Sequence, residues 1–252
     1  MGKVELTRES GIAWVTLNRP DKRNAIDFEV MELLHQVLTE VEENDDDKIL
    51  VIRGAGDQAF CSGGDLSIFH NLHTKEQAQE MLSKMGEVLF RLFFFPKPTV
   101  AVINGSAVGG GCEIASACDF RIAAPHVKIG FVQGTLGITT GWGGATMLLQ
   151  RLNQVEAMEM LLSCKRYSAD EARDIGFIHR VMYEADFSKG CCNWLSSFTK
   201  QSGGVLKAYK HRWCDQFDKE DIKRRMAKEI DECSTLWASD EHHEAVQRFL
   251  AK

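Results

Sequence analysis

The sequence predicts an α/β fold that ends in helices alone. Two observations carry this. Short β-like apolar runs at residues 12–17, 49–53 and 99–103 are separated by stretches with helical apolar spacing. From about residue 186 onward only helical patterns remain. The chain has 252 residues, 44% of them hydrophobic, which is ample for a sizeable core. Together these read as an α/β core domain over 1–190 and a helical C-terminal region over 191–252.

Taken in order, residues 4–8 and 12–17 alternate around Ser10-Gly11, a hairpin signal. Asn18-Arg19-Pro20-Asp21-Lys22-Arg23-Asn24 is turn chemistry, and Asp27 then caps a helix running to about residue 44. Val30, Leu33, Leu34, Val37, Leu38 and Val41 form its apolar face. The Asn44-Asp45-Asp46-Asp47 run that ends it reads as a solvated acidic turn rather than a metal site. A helix over about 75–95 stops at Pro96 and Pro98, with Phe93, Phe94 and Phe95 in the core. Beyond the 99–103 strand, Gly109, Gly110 and Gly111 lead into a small-residue helix over about 113–118. Runs at 120–123 and 128–131 are β-like, 132–140 is a loop, and Gly141-Trp142-Gly143-Gly144 opens the next helix. Helical patterns then cover 145–151, 154–163, 168–174, 186–200, 204–215, 218–238 and 240–250.

Composition narrows the function classes. The net charge is −6 and no basic stripe with interleaved aromatics occurs, which argues against nucleic acid as the main partner. The eight cysteines form no CxxC pair and no zinc-like spacing with histidine, so reduced thiols and no metal are expected. The most apolar stretch, 88–103, is interrupted by Arg91, Pro96, Lys97 and Pro98 and does not span a membrane. The first residues lack a signal-peptide core, and Leu6 breaks the myristoylation pattern. A cytoplasmic protein is expected.

Two glycine-rich loops point to chemistry. Gly109, Gly110 and Gly111 allow close backbone approach to a ligand, at a helix start whose amide N–H groups are unpaired. Phe60-Cys61-Ser62-Gly63-Gly64-Asp65-Leu66 also follows a β-like run and offers a second set of amides. Two N–H donors converging on one carbonyl oxygen are what an oxyanion hole for a thioester requires. Asn18-Arg19-Pro20 with Asn24-Ala25, these two loops, and Gly141-Trp142-Gly143-Gly144 together resemble the enoyl-CoA hydratase/isomerase (crotonase) superfamily over nearly the whole chain.

That resemblance implies a spiral of ββα units forming two roughly perpendicular sheets, with C-terminal helices that pack into trimers or dimers of trimers. It implies an acyl-CoA substrate, with coenzyme A as part of the substrate and no permanently bound cofactor. Ser62 and Gly110 match the oxyanion donors. Cys61, Gly63, Gly64, Asp65 and Leu66 match the loop along coenzyme A, and Arg23 and Ala25 fall in its contact region. Trp142 is expected to wall the acyl pocket. Phe249 and Lys252 resemble positions that reach a neighbouring subunit's coenzyme A. His126, His242 and His243 read as surface or packing residues.

Hydratases of the family use two glutamates. Glu113 matches one; the position of the other, ten residues before the Gly143-Gly144 pair, is Gln133. No Asp or Glu occurs between Phe120 and Val155, and glutamine neither gives nor takes a proton at neutral pH. Decarboxylation of a carboxyacyl-CoA tolerates the change, because loss of CO₂ itself makes the enolate. Phe131-Val132-Gln133, Leu136-Gly137-Ile138 and Trp142-Gly143-Gly144 also resemble the ethylmalonyl-CoA decarboxylase branch. Decarboxylation is therefore the expected reaction. The alternatives are hydration by Glu113 alone, a catalytically weak CoA-binding relative, or a scaffold or RNA-binding member, the last disfavoured by the acidic charge.

Overall fold

A computed structural model describes residues 2–251. Ser10 and Gly11, with φ of 51° and 79°, close a tight hairpin between β1 (Val4–Glu9) and β2 (Ile12–Leu17). Asp27 Oδ1 accepts the Val30 amide at 2.9 Å and starts α1 (Phe28–Glu43), as its position before the apolar face predicts. The acidic turn that follows is more than a solvated surface. Asp47 is buried and accepts from Arg8 Nε at 3.1 Å, while buried Lys97 donates to the Asn44 carbonyl at 2.7 Å.

β3 (Ile49–Gly54) and β4 (Ala59–Cys61) lead into the one-turn α2 (Leu66–Phe69) and the long α3 (Lys75–Phe93). Thr74 and Gln77 build a capping box at the start of α3, and Pro96 and Pro98 lie just past its end. β5 (Thr99–Ile103), β6 (Ser106–Val108) and α4 (Gly110–Ala117) repeat the strand–strand–helix order. β7 (Phe120–Ala123), β8 (Lys128–Gly130) and α5 (Gly144–Arg151) repeat it again. α6 (Gln154–Ser163), β9 (Tyr167–Ser168), α7 (Ala169–Asp174) and β10 (Arg180–Val181) follow. α8 (Phe187–Thr199), α9 (Gly203–Cys214), α10 (Lys219–Trp237) and α11 (Asp240–Leu250) end the chain.

Each strand pair divides between two sheets. β3, β5 and β7 join a six-stranded sheet in the order β1-β2-β3-β5-β7-β10, while β4, β6 and β8 join a four-stranded sheet ordered β4-β6-β8-β9. The result is the ββα spiral that the resemblance implies. From β2 to β10 the large sheet is parallel, and parallel strands are stable when both faces are covered. Ala13, Val15 and Leu17 face the central core, while Ile12 and Trp14 meet Cys191 and Leu195 of α8 and Leu206 of α9. Every residue of β2 is accordingly buried.

α10 packs along α3, and its Met226, Ile230, Cys233 and Trp237 belong to the same core as the sheets. Phe93 and Phe95 are core residues, and Phe94 packs against the core. The elements absent from the sequence reading, α2, β4, β6, β9 and β10, are two to four residues long and leave no periodic trace. No described helix is long and apolar enough to cross a membrane.

Candidate active site

Ala59 and Cys61 of β4 pair with Ser106 and Ala107 of β6, so the loops leaving these strands lie against each other. Gly63 sits at φ 93°, and a Cβ there would come within 3.0 Å of the Gly110 nitrogen. Only glycine permits that approach with that backbone. Gly110 is the first residue of α4, so its amide has no partner within the helix and lies at the positive end of the dipole. Among the described residues, neither the Gly110 N–H nor the Gly64 N–H meets an acceptor.

Ser62 is different. Its N–H donates to the Arg23 carbonyl at 3.1 Å, so Ser62 is not an available donor, and the expectation that it supplies one is corrected. The neighbouring carbonyl of Gly63 and amide of Asp65 are likewise spent on Ile26, which leaves Gly64 as the free amide of this loop.

The two glycines border a cavity of about 90 Å³ walled by Phe69, Met81, Leu82, Leu136, Ile138 and Trp142. The indole of Trp142 lies against α4 so closely that a Cβ on Gly110 would fall 2.1 Å from its Cζ3. Ser62, Gly63, Leu66, Glu113, Gln133, Cys233 and Trp237 also line it, with Gly109, Val132, Thr139 and Gly141.

Glu113 is 2% exposed and, among the described residues, is the only carboxyl on that wall. Its Oε2 accepts the Trp142 amide at 2.8 Å and the Gly144 amide at 2.9 Å, and its Oε1 accepts Gln133 Nε2 at 3.0 Å. Gly144 must lack a side chain here, since a Cβ would stand 2.3 Å from Glu113 Cγ. Burial, and secondarily the charge of Glu229, push the Glu113 carboxyl up to about 7, against the pull of these donors. Gln133 is therefore in contact with Glu113, as its position predicts. Its Oε1 is buried with no partner. An unsatisfied acceptor of this kind costs about 1–3 kcal/mol unless a ligand completes it.

Glu229, on α10, went unnoticed in the sequence. Its Oε1 accepts from Thr140 Oγ1 at 2.5 Å and from the Ala145 amide at 3.0 Å. Its Oε2 accepts the Thr146 amide at 2.8 Å, and burial pushes this carboxyl up as well. The signal was there: three positions after Met226 and one before Ile230, Glu229 lies beside the inward stripe of its helix.

Several expected contact residues point elsewhere. Cys61 is fully buried, its Sγ accepts the Gly63 amide at 3.4 Å, and burial pushes its thiol up to about 12, so it is an inert spacer rather than a ligand contact. Asp65 caps α2 through Ser67 and pairs with Arg19 Nη2 at 2.8 Å, which corrects its reading as a ligand contact. Ala25 is buried, and its carbonyl accepts Arg19 Nη1 at 2.7 Å. Arg23 lies outside the cavity, in an exposed groove with Asn24, Asp57 and Gln58. Arg19 is thus the unforeseen organiser of this corner, joining residues 25, 27 and 65. Phe249 is exposed at the end of α11, and Lys252 lies outside the described residues.

A model of the family described as enoyl-CoA hydratase/isomerase matches residues 7–252. The chain belongs to the enoyl-CoA hydratase/isomerase family. It is 32% identical over 251 residues to an ethylmalonyl-CoA decarboxylase of Pongo abelii, covering 98% of this chain and 83% of the relative. It is 31% identical over 256 residues to a crotonyl-CoA hydratase of Syntrophomonas wolfei, covering 99% and 95%. The fold matches the crystal structure of an enoyl-CoA hydratase from Bacillus halodurans with a TM-score of 0.89 at 23% identity, covering 98% and 100%. As an enoyl-CoA hydratase/isomerase family member, the protein is an acyl-CoA enzyme of the crotonase fold.

Proposed function

We propose that this protein decarboxylates a short carboxyacyl-CoA. The observation that carries the reading is that Glu113 is, among the described residues, the only carboxyl lining the cavity, and that it is held by amides with its proton affinity raised towards neutrality. Decarboxylation needs one acid and no base. The bond from the α-carbon to the carboxylate breaks, CO₂ leaves, and the electron pair moves into the thioester as an enolate. The Gly64 and Gly110 amides would hold the enolate oxygen, a contribution of about 10²–10³ in rate per donor. Glu113 would then protonate the α-carbon and recover its proton from solvent, and an acid titrating near the working pH suits that step. The apolar wall strips water from the substrate's carboxylate, and the small volume suits a short acyl chain. The similarity to ethylmalonyl-CoA decarboxylases supports this choice.

Gln133 Oε1 favours a second reading, hydration. An unpaired acceptor next to Glu113 would be satisfied by a water admitted there, with Glu113 then serving as both acid and base. Incubation with ethylmalonyl-CoA, methylmalonyl-CoA and crotonyl-CoA separates the two. CO₂ release from a carboxylated substrate is expected, and fast hydration of crotonyl-CoA without CO₂ release would overturn the proposal.

A further inference from the structure

Among the described residues, three buried side-chain polar atoms have no hydrogen-bond partner. Two belong to Arg151, whose guanidinium donates through Nη2 to Asp119 and stacks on Phe93 and Trp213, away from the cavity. The third is Gln133 Oε1, in the cavity wall. The two ends of a glutamine amide have the same shape, so its orientation follows its partners. An ionised Glu113 only accepts. It therefore draws Nε2, found 3.0 Å away, and leaves Oε1 buried without a partner. A protonated Glu113 donates its O–H to Oε1 instead, and the amide, turned end for end, presents its NH₂ to the cavity.

We propose that Glu113 and Gln133 form a proton-coupled reader of substrate charge. A thioester bearing a second carboxylate binds the protonated pair through the NH₂ end of Gln133, whereas the ionised pair suits an uncharged chain or a water. The substrate class rests on the decarboxylase reading; the coupling of charge to proton uptake does not.

The surroundings of Glu113 favour such a response. Among the described residues, Glu229 on α10 is the one other carboxylate acting on it, and its charge resists ionisation of Glu113. Cys233 on α10 and Cys112 on α4 are thiols kept neutral by burial. The remaining neighbours are the amides of Gly141, Trp142 and Gly144. Among the described residues, no cation pairs with Glu113. Bringing in a carboxylate therefore adds a third acidic group to an unneutralised pair, and taking up one proton relieves it.

The test uses two inert thioethers, S-(2-carboxybutyl)-CoA and S-(2-methylbutyl)-CoA, in which a methylene replaces the thioester carbonyl so that no enolate forms. Calorimetry at about pH 8, above the Glu113 titration, in buffers of different ionisation enthalpy counts the protons taken up. The carboxyl analogue should bind with uptake approaching one proton, and the methyl analogue with essentially none. Glu113→Gln should abolish the difference. Gln133→Leu should weaken the carboxyl analogue by about tenfold or more while leaving the methyl analogue within about twofold, which also shows that the variant is folded. Equal proton uptake for both analogues, or equal weakening of both by Gln133→Leu, would overturn the proposal. Because neither analogue reacts, CO₂ release without proton uptake removes the reader and spares the decarboxylase, and the converse result does the reverse.

Discussion

Glu113 and Glu229 divide between them the amides at the start of a single helix. Glu113 takes Trp142 and Gly144, and Glu229 takes Ala145 and Thr146. The donors that open α5 are thus consumed by side chains from α4 and α10, and the charge of Glu229 is felt at Glu113. The turn at 140–146 that carries Trp142 is consequently set from both sides.

Replacing Glu229 with Gln should move the working range of the acid. Glu229 raises the proton affinity of Glu113, so removing its charge lowers it. The descending, high-pH limb of kcat/KM for CO₂ release should shift to lower pH, as a pH–rate profile will show. An unshifted limb would mean that Glu229 has no electrostatic hold on the reaction.

The corrected amide assignment separates two neighbouring residues. Gly64→Pro removes the free N–H and should lower kcat by roughly 10²–10³, whereas Ser62→Ala, whose N–H remains on Arg23, should stay within a few-fold. Isotope-edited infrared spectra of a bound acyl-CoA give an independent check. The thioester carbonyl stretch should rise in Gly64→Pro and stay put in Ser62→Ala.

Glu113 should also leave a signature in stability. Its ordinary value of 4.5 is raised to about 7 in the folded protein. Between those values the folded state holds more protons than the unfolded one, so stability falls as pH rises through this window and is fully present below it. Relative to Glu113→Gln, the wild type should lose up to roughly 3 kcal/mol between about pH 4.5 and pH 8, measured by urea unfolding at each pH.

A purely structural network offers a control away from the cavity. Asp119 is 1% exposed, its Oδ1 accepts Lys210 Nζ at 2.5 Å and Arg151 Nη2 at 3.1 Å, and its Oδ2 accepts the Thr99 amide at 3.0 Å. Asp119→Asn strands two buried cations and should cost about 3–5 kcal/mol in denaturant unfolding. The shape of the pH–rate profile should not change.

Much of this was legible in the sequence, for reasons that can be traced. The Gly109–Gly111 triplet, Glu113 and Gln133 stood out because glycine clustering and a missing carboxylate are local properties of a short stretch. The choice between Ser62 and Gly64 was not local. It turns on which amide the 19–24 turn occupies, through a carbonyl on Arg23 held at a φ of 50°. Asp65 misled for a similar reason: an acidic residue after paired glycines looks ligand-facing until its helix cap and Arg19 are in view. Glu229 stayed hidden among five acidic residues of α10, and only the packing of that helix against α3 and α5 singles it out. Contacts made across long separations decide these cases, and no window of sequence contains them.

The placement of α10 has a consequence for damage to the gene. A stop codon just before residue 219 would spare both glycine loops, Glu113 and Gln133, yet remove Cys233 and Trp237 from the cavity wall, take Glu229 from the start of α5 and uncover the flank of α3. A late nonsense lesion in this protein thus breaches the wall of the cavity itself, although the shortened product would keep both glycine loops and Glu113.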